Sequence, residues 1–172
     1  FTGTLSLNIS PRDFGYEDFF NDVKKVIDDN QIDPKGLELE LTENAIMKRA
    51  DAIMALLNKL KGLGVGIAID DFGTGYSSLS YLKHFPIDKL KIDQTFVHDM
   101  HINEPDKALV ETIINMAKSF KLTVIAEGIE LSEQASLLQK LGCDVGQGYL
   151  YAKPLPIAKL EALSLRENWR LQ

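Results

Sequence analysis

The sequence predicts an α/β protein, a TIM-like (β/α)8 barrel that lacks about its first two strand–helix units. Three observations carry this expectation. Short apolar runs of strand type alternate with amphipathic stretches of helical period, the pattern of a parallel sheet covered by helices. Polar residues close nearly every apolar run, most plainly at residues 65–71, where Val-Gly-Ile-Ala-Ile ends in Asp70 and Asp71. A doubly wound sheet gathers its ligand at one switch point, whereas a barrel recruits residues from many strand ends, so this distribution favours the barrel. Finally, about six runs are present, and such a barrel needs eight strands and typically about 250 residues. The first run begins at residue 4. The missing units are therefore expected before Phe1, and the 172 residues are expected to form barrel strands three to eight plus a closing helix.

Each element has its own signal. Residues 4–9 read as a short buried strand. Residues 14–28 carry Phe19, Phe20, Val23 and Ile27 at helical spacing, closed by Asp29 and Asn30. Residues 37–41 form a strand with Leu37, Leu39 and Leu41 on one side and Glu38 and Glu40 on the other. A helical region starts at Thr42, and residues 51–63 are amphipathic, with Gly62 and Gly64 as stop signals. Residues 65–69 make the central strand, and residues 78–85 look helical. A short strand at 90–92 follows Pro86. Residues 106–120 make a long helix with Leu109, Ile113, Ile114 and Met116 inward. A strand at 122–126 ends in Glu127 and Gly128, and Ser132 is placed to cap a helix at 131–141. A last strand at 143–145 precedes a closing helix at 156–168, packed by Trp169. No linker or second domain is visible.

Composition excludes several functions. The chain is 45% hydrophobic and 26% charged, enough for one sizeable core. A net charge of −6 and a pI near 5.1 leave no basic footprint for DNA. An anionic substrate would need a cation supplied locally. Cys143 stands alone, which rules out an internal disulfide and points to a reducing, cytoplasmic setting. No run approaches the roughly 20 apolar residues of a membrane span. A first residue other than Met suggests a cut or processed piece.

Leu90-Lys91-Ile92-Asp93 repeats the alternation of Leu-Glu-Leu-Glu. Alternation normally marks a half-solvated antiparallel strand. In a barrel it places leucines toward the helices and charges toward the interior. That interior would hold Glu40, Asp70, Asp71, Asp93 and Glu127, with Lys91 among them. A lone Asp-Asp pair is commonly a solvated turn, but this many carboxylates in one mouth call for divalent cations. An all-oxygen donor set, with the Asn8 amide, suits Mg²⁺ or Mn²⁺ better than zinc. Such ions would also admit an anionic phosphate. His84, His98 and His101 read as surface residues, Cys143 as a small core residue, Met47, Met54 and Met116 as core filler, and Lys24, Lys25, Lys59 and Lys61 as solvated helix faces.

Six segments then stand in order: Leu5-Ser6-Leu7-Asn8-Ile9-Ser10, Glu40-Leu41-Thr42-Glu43, Asp70-Asp71-Phe72-Gly73-Thr74-Gly75-Tyr76-Ser77-Ser78, Leu90-Lys91-Ile92-Asp93, Ala126-Glu127-Gly128-Ile129-Glu130 and Gln147-Gly148-Tyr149. Together they resemble the EAL-domain family of bacterial cyclic di-GMP phosphodiesterases, over nearly all of the chain up to about Pro156. The resemblance implies a modified eight-stranded barrel with one antiparallel strand. It implies hydrolysis of cyclic di-GMP to linear pGpG with two Mg²⁺ or Mn²⁺ ions. Asn8, Glu40 and Asp70 would hold one metal. Asp70 would bridge to the second, with Asp71 and Glu127 on that side. Lys91 would position the attacking water and offset phosphate charge. Asp93, Glu130 and Gln147 would shape the pocket. Glu43 would anchor the loop of Phe72, Gly73, Thr74, Gly75, Tyr76, Ser77 and Ser78, which in the family links homodimer formation to activity. Sensor or GGDEF (cyclase) domains often accompany this family, and a parent protein could be tethered to a membrane through other domains.

The Glu-Ala-Leu tripeptide that gives the family its name is not in this chain. Its glutamate is a metal ligand in the family, and a nearby arginine contacts the substrate phosphate. Both are expected upstream. A protein ending physically at Phe1 is therefore expected to be unstable alone and without measurable activity. The competing function is a degenerate EAL domain that binds cyclic di-GMP as a receptor or regulatory module without cleaving it.

Overall fold

In a computed structural model, residues 3–10, 12, 18–47, 50–75 and 82–164 are described. Their elements run β1 (Leu5–Ile9), α1 (Phe19–Asn30), β2 (Leu37–Thr42), α2 (Glu43–Met47), α3 (Ala50–Leu63), β3 (Gly66–Phe72), β4 (Lys89–Ile92), α4 (Gln94–Asp99), α5 (Glu104–Ser119), β5 (Thr123–Ala126), α6 (Ser132–Leu141), β6 (Val145–Gly146) and α7 (Ile157–Ser164). The six strands form one sheet in chain order, and every pairing is parallel. This is the α/β wall of a TIM-like barrel lacking some of its units. Among the described residues, β1 and β6 are its edges.

The alternation along β2 is resolved by burial. Leu37, Leu39 and Leu41 are buried, and so are Glu38 and Glu40. Only a strand covered on both faces does this. The leucines join Ile67, Ile69, Leu90, Ile92, Val124 and Ala126 in the core beneath the helices. Leu57 and Leu60 of α3 enter that core fully buried, each contributing about 1.5–3 kcal/mol. The opposite face carries Ser6, Asn8, Glu38, Glu40, Gly66, Ala68, Asp70, Lys89 and Lys91 by the period of two.

Several expectations need correction. The first strand is not buried: Leu5 is 60% and Leu7 43% exposed, because β1 pairs with β2 alone. The central strand runs on to Phe72 instead of stopping at Ile69, so both aspartates lie within it. Asp93 accepts from Thr95 N and starts α4, a helix the periodicity did not announce. Val110, Ile113, Ile114 and Ala117 are the buried face of α5, with Leu109 and Met116 packed at its margin. Ser132 does not cap α6. The Gln134 side chain does so, accepting from Glu130 N at 2.8 Å and Leu131 N at 2.9 Å. Lys61 is not merely solvated, because it pairs with Asp88 at 2.8 Å. The beginning of the expected first helix, most of the helix at 78–85, the end of the closing helix and Trp169 lie outside the described residues, as does the Met47 side chain.

Candidate active site

Neighbouring residues on a regular strand face opposite sides, so Asp70 and Asp71 need a reason to share a site. A bulge supplies it. Ile69 pairs with Leu90 and Phe72 with Ile92, so β3 spends one residue more than β4 over that interval. Asp71 takes φ 54°, a left-handed conformation that costs an L-residue about 1–2 kcal/mol. Its N–H donates to Asp70 Oδ1 at 3.0 Å, which holds the turn. The extra residue re-aims Asp71, and carboxylate oxygens of Asp70, Asp71 and Glu127 come within 4.8 Å of one another.

Lys91 reaches into this group from β4. Its Nζ lies 2.7 Å from Glu40 Oε2, 3.1 Å from Asp70 Oδ1 and 2.7 Å from Glu127 Oε1. Burial works against its charge, but the bonds to Glu127 and Glu40 and the charges of Glu127 and Asp70 outweigh it and lift its pKa above the ordinary lysine value. Burial, then the charge of Asp70 and the contact with Asp93, pushes the Asp71 carboxyl up. Burial pushes Glu127 up, opposed by Lys91. Five carboxylates (Glu40, Asp70, Asp71, Asp93 and Glu127) face one ammonium, an excess of four negative charges if all are ionised. An excess of that kind, with only hard oxygen donors, fits divalent cations.

A pH test follows from the sign of the Glu127 shift. A carboxyl raised on folding contributes stability below its unfolded pKa and loses it as pH rises through the folded value. In chelator, Glu127→Gln should therefore gain in melting temperature relative to the unsubstituted protein as pH rises from about 4 to 7. In saturating Mn²⁺, which binds the ionised carboxylate, the order should reverse. A difference that shrinks with pH in chelator would contradict this charge balance.

The remaining expected residues are distributed as follows. Asn8 stands opposite Glu40 in the β1–β2 register and is exposed. Gln94, Glu127, Gly128, Glu130, Gln147, Gly148 and Tyr149 line a cavity of about 270 Å³ beside the carboxylates. Glu130 and Gln147 are thus brought to the site. Gln94, Gly148 and Tyr149 line it without having been expected as pocket residues, since only a strand end marks such positions in sequence. Asp93 lies against Asp71. Glu43 is 1% exposed, and its Oε2 accepts from Gly73 N at 2.8 Å, tying β3 to the start of α2. Gly73 has φ +100°, and a Cβ there would sit 2.9 Å from Phe96 Cε2. Tyr76, Ser77 and Ser78 lie outside the described residues. A larger cavity, about 680 Å³ between α6 and β6, contains none of the expected site residues. Cys143 lines it with its thiol pushed up by burial and hydrogen-bonded to backbone carbonyls. His98 is exposed beside Asp99, and His101 is half-buried.

Fold and site together define a TIM-like α/β protein with an acidic centre at the carboxyl ends of its strands. Residues 2–154 match the family model of the EAL domain, and the chain belongs to the EAL-domain family. It is 40% identical over 157 residues to the cyclic di-GMP phosphodiesterase NbdA of Pseudomonas aeruginosa, covering 91% of this chain and 20% of that protein. The crystal structure of the EAL domain of Mycobacterium smegmatis DcpA matches with a TM-score of 0.88 at 36% identity, over 93% of this chain and 72% of that one. The manganese and cyclic di-GMP complex of Klebsiella pneumoniae BlrP1 matches with a TM-score of 0.81 at 32% identity, over 88% and 39%. The chain spans about a fifth to a quarter of the length of the curated relatives it matches. No helix among the described residues is long and apolar enough to cross a membrane.

Proposed function

We propose that the protein containing this chain hydrolyses cyclic di-GMP to linear pGpG with two Mg²⁺ or Mn²⁺ ions, as part of bacterial second-messenger signalling. One observation carries the reading: Asp70, Asp71 and Glu127 converge while Lys91 binds Glu40, Asp70 and Glu127 from the same face. Asn8, Glu40 and Asp70 would hold one ion, and Asp70, Asp71 and Glu127 the other. When bound, the ions activate water and stabilise charge on the phosphate. Lys91 adds a compact positive charge beside the phosphate and keeps Glu40 and Glu127 aligned. Glu127, beside Lys91 and within the carboxylate cluster, would take a proton from the attacking water. Asp93, Glu130 and Gln147 shape the pocket that holds the dinucleotide.

Every candidate ligand position in this chain carries an oxygen donor, which favours hydrolysis over a binding-only module. An upstream Glu-Ala-Leu segment would complete the ligand set. The full-length protein should linearise cyclic di-GMP with Mn²⁺ or Mg²⁺ and stop when EDTA is added. Tight binding without turnover in either ion would leave the receptor function instead.

We also assign homodimer control to the Glu43-anchored loop at Phe72–Gly75. Gly73→Val should lower turnover and dimerisation together, because the left-handed φ and the Phe96 contact both exclude a β-branched side chain. Sedimentation and turnover unchanged from the unsubstituted protein would remove the loop from the mechanism. Sensor or GGDEF domains elsewhere in the full protein would act on the site through this loop.

A further inference from the structure

Beneath the Lys91 cluster lies a second ion pair, its carboxylate buried, that the reaction does not use. Glu38 is 3% exposed, and both its oxygens are taken: Ser6 Oγ donates to Oε1 at 3.0 Å, and Lys89 Nζ lies 2.7 Å from Oε2. Glu38 and Glu40 share a face of β2, and Lys89 and Lys91 share a face of β4. The two pairs are therefore stacked rungs that span β3, about 6–7 Å apart along the strands. The interior positions of β3 beneath Asp70 are Gly66 and Ala68, small enough for the lysines to cross. A Cβ on Gly66 would already stand 3.4 Å from Glu38 Oε2.

We propose that Lys89 is a positioning residue: by occupying Glu38 it keeps the Lys91 ammonium in the upper rung. Two lysines and two glutamates on adjacent rungs can pair in more than one way. Without Lys89, Glu38 is a buried carboxylate lacking its charged partner, and leaving such a group unpaired is strongly unfavourable. Lys91 stands one rung above on the same face of β4, and its long stem can turn down to Glu38; Lys35 and Lys61 border Glu38 from the cavity below, where Lys61 is already held by Asp88. Lys91 would then be drawn away from Asp70 and Glu127. The pair is also asymmetric. Lys89 keeps 29% of its side chain exposed and opens onto a cavity of about 260 Å³ at the amino ends of the strands, shared with Lys61 and Asp88. Losing Glu38 merely frees Lys89 into that cavity, whereas losing Lys89 strands Glu38.

The kinetic consequence rests on the phosphodiesterase reading, but the position of Lys91 does not. The test compares Lys89→Met, Glu38→Gln and the double variant in the full-length protein. It reads cyclic di-GMP turnover and, separately, the ¹⁵N signal of the Lys91 ammonium, assigned by its loss in Lys91→Met. Lys89→Met should lower kcat by about tenfold or more with KM little changed, because a chemical group is misplaced and binding is not lost. Its Lys91 signal should shift. Glu38→Gln should stay within about threefold of the unsubstituted protein, and the double variant should return to that level with a restored signal. Should Lys89→Met not fold, Lys89→Arg and the double variant carry the test, and both must keep kcat. A slow double variant, or an unmoved Lys91 signal in Lys89→Met, overturns the proposal. If the unsubstituted protein does not cleave cyclic di-GMP, the phosphodiesterase reading fails, and the ammonium signal alone decides whether Lys89 positions Lys91.

Discussion

Asp70→Asn should abolish cyclic di-GMP hydrolysis in the full-length protein while the fold survives. The amide has nearly the same shape, and its oxygen can still accept from Asp71 N, so the bulge should persist. What disappears is an anionic ligand in the centre of the cluster, within 4.8 Å of both Asp71 and Glu127 and 3.1 Å from Lys91. A metal ion contributes several kcal/mol to such a transition state, so a loss of about a thousandfold or more is expected. Cys143→Ser is the control. Its thiol contacts the Val124 and Val145 carbonyls and lines a cavity that holds none of the proposed site residues, and turnover should be nearly unchanged. Normal turnover by Asp70→Asn at saturating Mg²⁺, or loss of activity in a folded Cys143→Ser, would contradict the assignment.

Lys91→Met should cost both activity and metal-free stability. Among the described residues, its ammonium is the only cation paired with three carboxylates whose side chains are 8%, 12% and 18% exposed: Glu40, Asp70 and Glu127. Removing one partner of a buried ion pair typically costs about 3–5 kcal/mol. In EDTA the melting temperature should therefore fall by roughly 10 °C. Divalent ion should recover much of that loss, because it supplies positive charge to the same oxygens. Turnover should not recover, since the donor beside the phosphate is gone, and a loss of about a hundredfold or more is expected. Melting curves with and without Mn²⁺, paired with turnover, separate the two effects. Full recovery of kcat by metal would show that Lys91 serves stability alone.

The residue pattern made much of this site legible. Leu-Glu-Leu-Glu and Leu-Lys-Ile-Asp alternate with period two, and the strand pairing places their charged positions on one interior face. Asp70 and Asp71 end an apolar run, which marks the centre. The bulge is not legible. It depends on a left-handed Asp71 whose cost is met by its bond to Asp70, and no residue type announces such a conformation. The exposure of β1 escapes the sequence for a different reason. An apolar strand looks the same whether it has one neighbour or two. The Glu38–Lys89 rung does have a signal, because Lys89-Leu90-Lys91 mirrors Glu38-Leu39-Glu40 two strands away. Ser132 looks like a cap by residue type, yet the longer Gln134 side chain reaches back to both free N–H groups and displaces it.

Everything proposed for the reaction depends on the converged carboxylates being the divalent-ion centre of a phosphodiesterase. The most direct measurement is an anomalous difference map, recorded at the manganese edge, from crystals of the full-length protein grown with Mn²⁺. Peaks are expected against Asp70, Asp71 and Glu127, with Glu40 and Asn8 bordering the same density, and no peak there in Asp70→Asn. Crystals of active protein whose manganese lies elsewhere, or an unchanged peak in Asp70→Asn, would contradict that role.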